Sequence, residues 1–123
     1  MSTTKDTTLV IGASENPERY SNMAIKLLRK KGFKVLAVGQ KEGQVGDVMI
    51  SKIKENFENI HTITLYINPK IQEDYIDYIL RLKPERIIFN PGTENDVLEQ
   101  KAHSEGIKTE EACTLVLLNL GQY

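Results

Sequence analysis

Residues 7–19 read Thr-Thr-Leu-Val-Ile-Gly-Ala-Ser-Glu-Asn-Pro-Glu-Arg, an apolar run that stops at Gly12 and continues as a small, polar loop toward a helix. A glycine after a strand lets other groups approach the backbone closely, and the next helix offers free N–H groups, so this junction is typical of a phosphate-binding loop. A dinucleotide fingerprint requires Gly-x-Gly-x-x-Gly, and Ser14 stands where its second glycine belongs. The stretch therefore predicts a nucleotide site that differs from an ordinary NAD site.

Length and composition exclude several classes of protein. The 123 residues suffice for one domain, which we expect to span residues 1–123. A net charge of −1 gives no electrostatic basis for binding nucleic acid or an anionic membrane. The polar N-terminus, the absence of a long apolar run and a single cysteine, Cys113, are typical of a cytoplasmic protein without disulfides.

Strand and helix patterns alternate along the chain. Alternation of this kind predicts an α/β fold: a Rossmann-like, doubly wound, mainly parallel five-stranded sheet with helices on both faces. The segments expected to form strands are residues 8–11, 33–38, 60–67, 86–89 and 107–109.

The intervals between these strands carry helical patterns. Ser21 is the expected N-cap of the first helix, and Thr93 is expected to open a later one through a capping box. Apolar residues at helical spacing predict one helix over residues 71–82. Residues 40–59 have no clear pattern beyond a short helix expected to begin at Ser51.

Turn-forming and polar residues follow each expected strand. Ligands of parallel sheets bind outside the carboxyl ends of the strands, near the point where the strand order reverses. The segments that we expect to form the rim of a pocket are residues 12–14, 39–41, 68–69, 90–94 and 110–113.

The end of the second strand discriminates among nucleotides. An NAD site places an acidic residue there to bind the ribose hydroxyls, but this chain has Gly39, Gln40 and Lys41. The ammonium group of Lys41 suits a ligand with a phosphate on its ribose, such as NADP or coenzyme A. A solvated surface lysine remains the alternative.

The motif Gly12-Ala13-Ser14-x-x-Pro17-x-Arg19 resembles the signature of small stand-alone CoA-binding proteins. These are similar to the CoA-binding, Rossmann-like N-terminal domain of the succinyl-CoA synthetase α-subunit and of acyl-CoA synthetases. The resemblance extends over residues 8–118. It departs from the family after the second strand, where many relatives carry Asn-Pro-Lys and this chain has Gly39-Gln40-Lys41.

The resemblance implies a role for each matching residue. The loop around the phosphates would consist of Gly12, Ala13, Ser14, Pro17 and Arg19. The residues near the adenosine and its 3′-phosphate would be Gly39, Gln40 and Lys41. The wall beside the nucleotide would be Ile67, Asn68 and Pro69, and the pantetheine end would face Pro91, Gly92 and Glu94.

Few residues suggest catalysis. His61 is expected at the start of a strand, on the edge opposite the pocket, and His103 in the last turn of a helix, so both are expected to be structural or surface residues. No spacing of His, Cys, Asp and Glu predicts a metal site. We therefore expect no catalytic residue and no metal ligand in this chain.

Two features leave alternatives open. Cys113 follows the last expected strand, where it would contact the thiol end of CoA or act as a redox-sensitive group, unless it is simply a buried apolar residue. The apolar tail at residues 115–118 fits a homodimer contact or a helix packed on its own sheet.

The first functional hypothesis is a non-catalytic module that binds coenzyme A or an acyl-CoA as a sensor, carrier or regulatory protein. An NADP-dependent enzyme is the alternative that Lys41 allows. A third hypothesis is an interaction protein with a vestigial nucleotide pocket.

Overall fold

The computed structural model describes residues 5–123, so the predicted domain can be followed except at residues 1–4, which lie outside the described residues. The strands are β1 (Lys5–Ile11), β2 (Phe33–Val38), β3 (Gly43–Val45), β4 (Val48–Ser51), β5 (Thr62–Leu65), β6 (Arg86–Phe89) and β7 (Lys108–Glu111). The helices are α1 (Tyr20–Lys30), α2 (Pro69–Gln72), α3 (Ile76–Leu82), α4 (Asp96–Ser104) and α5 (Thr114–Asn119).

The strands form one sheet in the order β3-β4-β2-β1-β5-β6-β7, and every neighbouring pair except β3–β4 is parallel. The chain runs outward from β1 through β2 to the β3–β4 edge and then returns to place β5 on the other side of β1. The strand order therefore reverses between β1 and β5, which is where such sheets bind ligands.

Helices cover both faces of the sheet and form a separate hydrophobic core on each face. Successive side chains of β1 point alternately into these two cores. Leu9 packs in a core with residues of α3 and α4 on one face. Val10 packs with residues of α1 and α5 on the other face. The predicted doubly wound α/β architecture is confirmed.

The predicted number of strands is wrong, because the sheet has seven strands rather than five. The two additional strands form an antiparallel hairpin, β3–β4, in the segment that had no clear sequence pattern. Ser51 closes β4 and does not begin a helix. The hairpin turns at Gly46, and β3 has only three residues, too few for an alternating pattern to stand out.

Two predicted helix starts are also wrong. Ser21 lies inside the first turn of α1, where it is buried, and the N-cap position belongs to Arg19. Asn95, not Thr93, caps α4, since its side-chain oxygen accepts hydrogen bonds from the N–H groups of Val97 and Leu98. The hydroxyl of Thr93 donates instead to the carbonyl of Asn90.

The helix predicted over residues 71–82 consists of two shorter helices, α2 and α3, separated by a turn. Ile71, Tyr75, Ile79 and Leu82 nevertheless pack against the same core. The apolar face was predicted correctly, and the continuity of the helix was not.

The apolar tail forms α5, which packs on the sheet of its own chain through Leu118. Val116 on the same helix and Leu120 at its C-cap are 51% and 63% exposed. The homodimer contact stays a prediction. Within residues 5–123, no helix is long and apolar enough to cross a lipid bilayer.

Candidate functional site

A cavity of about 760 Å³ lies over the carboxyl ends of β1, β2, β5 and β6, at the reversal of strand order. This volume lies within the range of small-molecule sites. The predicted residues that line it are Gly12, Ala13, Ser14, Arg19, Gln40, Lys41, Ile67, Asn68, Pro91 and Gly92. The structure thus brings most of the predicted residues together around one space.

The loop between β1 and α1 forms the floor of the cavity. Gly12 has φ = 96°, and its amide and that of Ala13 both donate to the carbonyl of Val38, at 2.9 and 3.1 Å. A Cβ atom on Gly12 would lie 3.0 Å from the backbone carbonyl of Tyr66. Glycine is therefore required at position 12 both by its φ and by the close approach of the residue that follows β5.

Beyond Gly12 the loop is held by its own polar side chains. The hydroxyl of Ser14 accepts the N–H of Asn16 at 3.1 Å, and the buried Asn22 of α1 donates its side-chain amide to the carbonyl of Ser14 at 2.9 Å. The N–H groups of Ser14 and Glu15 donate to no acceptor among residues 5–123. Two backbone donors of this fixed loop are therefore free for an anion.

Four charged side chains line the cavity, and all of them come from the loops after β1 and β2. Arg19 and Lys41 are exposed cations, and Glu15 and Glu42 are exposed carboxylates. The carboxylate of Glu15 accepts the N–H of Gln44 at 2.9 Å, so it ties the β1–α1 loop to the β3–β4 hairpin. In the described part of the chain neither cation has an ion-pair partner, so both can bind a ligand anion, whereas one of the two carboxylates has a structural contact.

A buried asparagine organises the carboxyl ends of β5 and β6. Asn90, which is 2% exposed, donates to the hydroxyl of Thr64 at 2.6 Å and to the carbonyl of Leu65 at 2.8 Å. Its side-chain oxygen accepts the N–H of Thr114 at 2.8 Å, and its own carbonyl accepts from Thr93. This one side chain therefore connects β5, β6 and the start of α5. The turn at Asn90 was predicted, but the hydrogen bonds by which its side chain connects these three elements were not.

Some predicted residues do not line the cavity. Gly39 is buried beneath the Ala13 carbonyl, and Glu94 accepts the N–H of Gly92 at 2.9 Å. Pro17 and Pro69 are exposed, and Cys113 is partly buried at the N-cap of α5. Their predicted contacts with a ligand stay predictions.

Thr93, which belongs to the predicted rim, also lines the cavity, together with five residues that were not predicted as part of it, namely Glu15, Asn16, Glu42, Tyr66 and Ile71. Most of them flank a predicted residue. Only their proximity to the strand ends would have identified them from the sequence, because their types are common on any surface.

The histidines lie away from this cavity. His61 lines two grooves at the opposite edge of the sheet, and its Nε2 lies 3.5 Å from the carboxylate of Asp6. His103 is in the last turn of α4, as predicted, where its Nε2 is 2.7 Å from the hydroxyl of Thr109. Within residues 5–123, no three side chains of the His, Cys, Asp and Glu types are grouped as metal ligands.

The hydroxyl of Tyr66 is buried and forms no hydrogen bond within the described part of the chain. Burial raises the pKa of Tyr66 to about 12, although the nearby hydroxyls of Thr114 and Thr64 act to lower it. The unfolded chain releases this proton near pH 10. Between pH 10 and 12 the folded chain therefore binds more protons than the unfolded chain, and the free energy of unfolding falls as the pH rises.

We expect Tyr66→Phe to flatten this alkaline loss of stability by up to about 1.4 kcal/mol per pH unit. Below pH 9 the substitution should be nearly neutral, because the hydroxyl it removes has no partner. Denaturant unfolding at pH 8, 9, 10 and 11 measures both effects. Tyr20→Phe, at a residue 68% exposed, is the matched control and should leave the parent's slope unchanged. If stability falls with pH equally steeply in Tyr66→Phe and in the parent, the raised pKa of Tyr66 does not cause the alkaline loss of stability.

Comparison with known proteins identifies the family and the fold. The model of the CoA binding domain family matches residues 6–119. No curated protein matches the chain in sequence. A crystal structure of an uncharacterized protein is 42% identical, with a TM-score of 0.93 over 96% of this chain and 98% of that one.

More distant structures share the fold. A protein from Thermus thermophilus is 20% identical with a TM-score of 0.80, over 96% of this chain and 90% of that one. An acetyl-coenzyme A synthetase from Ca. Korarchaeum cryptofilum, in complex with phosphate and ADP, is 15% identical with a TM-score of 0.72. The match covers 89% of this chain but 26% of the synthetase chain. Because the family model spans nearly all of the sequence, the chain belongs to the CoA-binding domain family.

Proposed function

We propose that this chain binds coenzyme A or an acyl-CoA in the cavity at the reversal of strand order, as a non-catalytic sensor, carrier or regulatory module. Membership of the CoA-binding domain family supports the choice of ligand. The observation that carries the proposal for this cavity is the separation of charged and uncharged residues along it.

The charged half of the cavity lies over β1 and β2, where Arg19 and Lys41 contribute their cations. The other half, formed by residues after β5 and β6, has no charged side chain among its lining residues and includes Tyr66, Ile67 and Pro91. Coenzyme A has the same division, since a phosphorylated nucleotide is joined to an uncharged pantetheine arm. The matching divisions favour an orientation with the nucleotide over β1 and β2.

The residues of the charged half suit phosphates. The free N–H groups of Ser14 and Glu15 and the guanidinium of Arg19 would hold the diphosphate, and Lys41 would hold the 3′-phosphate. The carboxylates of Glu15 and Glu42 oppose an anion there, so this affinity depends on both cations.

The composition of the cavity supports a non-catalytic role. Among the described residues that line it there is no histidine and no cysteine. The hydroxyl of Ser14 accepts a backbone hydrogen bond within its own loop and has no basic partner beside it. Binding, without a chemical step by this chain, is what these groups support.

Calorimetric titration with coenzyme A, dephospho-CoA and NADP tests this function. We expect coenzyme A to bind more tightly than dephospho-CoA, and Arg19→Ala to weaken both by about 1.5–3 kcal/mol, the range for a hydrogen bond to a charged group. Lys41→Ala should reduce the affinity for coenzyme A to that of dephospho-CoA while leaving dephospho-CoA unaffected, because only the 3′-phosphate contacts this lysine.

Lys26→Ala is the matched control, since Lys26 is exposed on α1 and does not line the cavity. Equal binding of coenzyme A by the parent and both cavity variants would contradict the proposed orientation. Binding of NADP alone would favour a reductase, and failure of all three ligands to bind would favour a vestigial pocket.

A further inference from the structure

Gln72 is a buried polar side chain behind the uncharged half of the cavity. Its exposed fraction is 0%, and its amide nitrogen donates to the carbonyl of Ile67 at 2.8 Å and to that of Thr93 at 2.7 Å. Its amide oxygen accepts from the side chain of Asn95 at 3.0 Å. Both amide hydrogens and the oxygen are therefore used, and no part of this group is available to a ligand.

The two carbonyls that Gln72 joins belong to different loops. Ile67 lies after β5 and Thr93 after β6, and both residues line the cavity. Because one nitrogen binds both carbonyls, Gln72 fixes the separation of the two loops. Asn95 extends the connection to α4, since its side-chain oxygen caps that helix.

The charged half of the cavity is held by other contacts. The loop after β1 is bound to the carbonyl of Val38 and to the side chain of Asn22. Within residues 5–123, the side chain of Gln72 forms hydrogen bonds to Ile67, Thr93 and Asn95 and none to the loop after β1, so its influence is confined to the loops after β5 and β6.

We propose that Gln72 is a positioning residue that sets the spacing of the loops after β5 and β6 to accept the pantetheine arm of coenzyme A. The inference rests on the proposed function. Without the side-chain amide, the Ile67 and Thr93 carbonyls lose their common donor and the two loops separate. The ligand must then order these loops when it binds, which lowers its affinity.

The test compares two ligands on Gln72→Met, which retains the size of the side chain and removes its hydrogen bonds. Coenzyme A contains the pantetheine arm, and adenosine 3′,5′-bisphosphate contains only the nucleotide end. We expect the affinity for coenzyme A to fall about tenfold, which corresponds to about 1.4 kcal/mol, and the affinity for the bisphosphate to stay within about twofold. Gln100→Met, on the exposed surface of α4, is the matched control and should change neither affinity.

Asn95→Asp serves as a second variant if Gln72→Met does not fold. Aspartate retains the oxygen that caps α4 but has no N–H to donate to Gln72. If Asn95 only capped the helix, this variant would keep its affinity for coenzyme A. Our proposal predicts the same selective loss of coenzyme A binding.

Each outcome decides between the two proposals. Equal losses for both ligands, or no loss for either, would overturn the positioning role while leaving the proposed function intact. Failure of the parent protein to bind coenzyme A would overturn the proposed function and this inference together.

Discussion

Asn90→Ala is expected to lower the free energy of unfolding by about 3 kcal/mol. The substitution removes two donated hydrogen bonds and one accepted bond from a side chain that is 2% exposed. It leaves the carbonyl of Leu65 and the N–H of Thr114 without partners in the interior, and each unpaired buried group costs about 1–3 kcal/mol. The costs of these two neighbouring groups are not additive, so the expected value lies below the upper end of their sum, about 6 kcal/mol.

Urea unfolding at pH 7 measures this loss, with Asn119→Ala as the control. Asn119 is exposed in α5, and its replacement should change stability by less than about 0.5 kcal/mol. Asn90→Asp separates the donated hydrogen bonds from the accepted one. Aspartate still accepts from the N–H of Thr114, but it places a charge beside the carbonyl of Leu65. We expect it to be at least as destabilising as alanine. If Asn90→Ala lowers the free energy of unfolding by less than about 1 kcal/mol, the hydrogen bonds of Asn90 do not hold β5, β6 and α5 together.

The elements that sequence predicted with correct bounds are those in which local and tertiary requirements agree. β2 and β6 are mostly apolar and lie between turn-forming residues, Gly32 and Gly39 for β2 and Pro84 and Pro91 for β6, and both occur at the predicted residues 33–38 and 86–89. The β3–β4 hairpin was missed because its stability depends on contacts distant in sequence. Examples are the Arg29–Asp47 ion pair and the hydrogen bond from Gln44 to Glu15.

In the site, too, residues identified by their position along the chain were predicted, and those that depend on contacts distant in sequence were not. Gly12, Lys41 and Pro91 were found because residues after parallel strands must meet at one edge. Gln72 was not found, because its function as a connector arises from a carbonyl 21 residues away along the chain. Nothing in its local sequence distinguishes a buried amide from an exposed one. Buried polar connectors of this kind become visible only in the folded structure.

Gly39→Ala is the second substitution for which we expect a large effect, on both stability and ligand affinity. A Cβ atom at position 39 would overlap the carbonyl oxygen of Ala13 and lie 3.1 Å from Cγ2 of Ile50. The overlap with Ala13 involves backbone, so a side-chain rotation cannot relieve it. The β1–α1 loop must therefore move away from β2.

We expect this movement to cost about 2 kcal/mol of stability, within the range for overpacked interiors. The affinity for coenzyme A should fall at least about tenfold, which corresponds to about 1.4 kcal/mol, because Ala13 adjoins the free N–H groups of Ser14 and Glu15. Unfolding and calorimetric titration measure the two effects separately.

Gly46→Ala controls for the change from glycine to alanine. Gly46 has φ = 59°, and a Cβ atom there would have no other atom within 4 Å; it lies in the β3–β4 turn outside the cavity lining. Alanine there should lose about 1 kcal/mol to backbone strain without altering ligand affinity. If Gly39→Ala and Gly46→Ala bind coenzyme A equally well, the loop after β1 does not hold the phosphates. If Gly39→Ala alone binds weakly, the close approach of Gly39 to the Ala13 carbonyl positions the phosphate-binding loop.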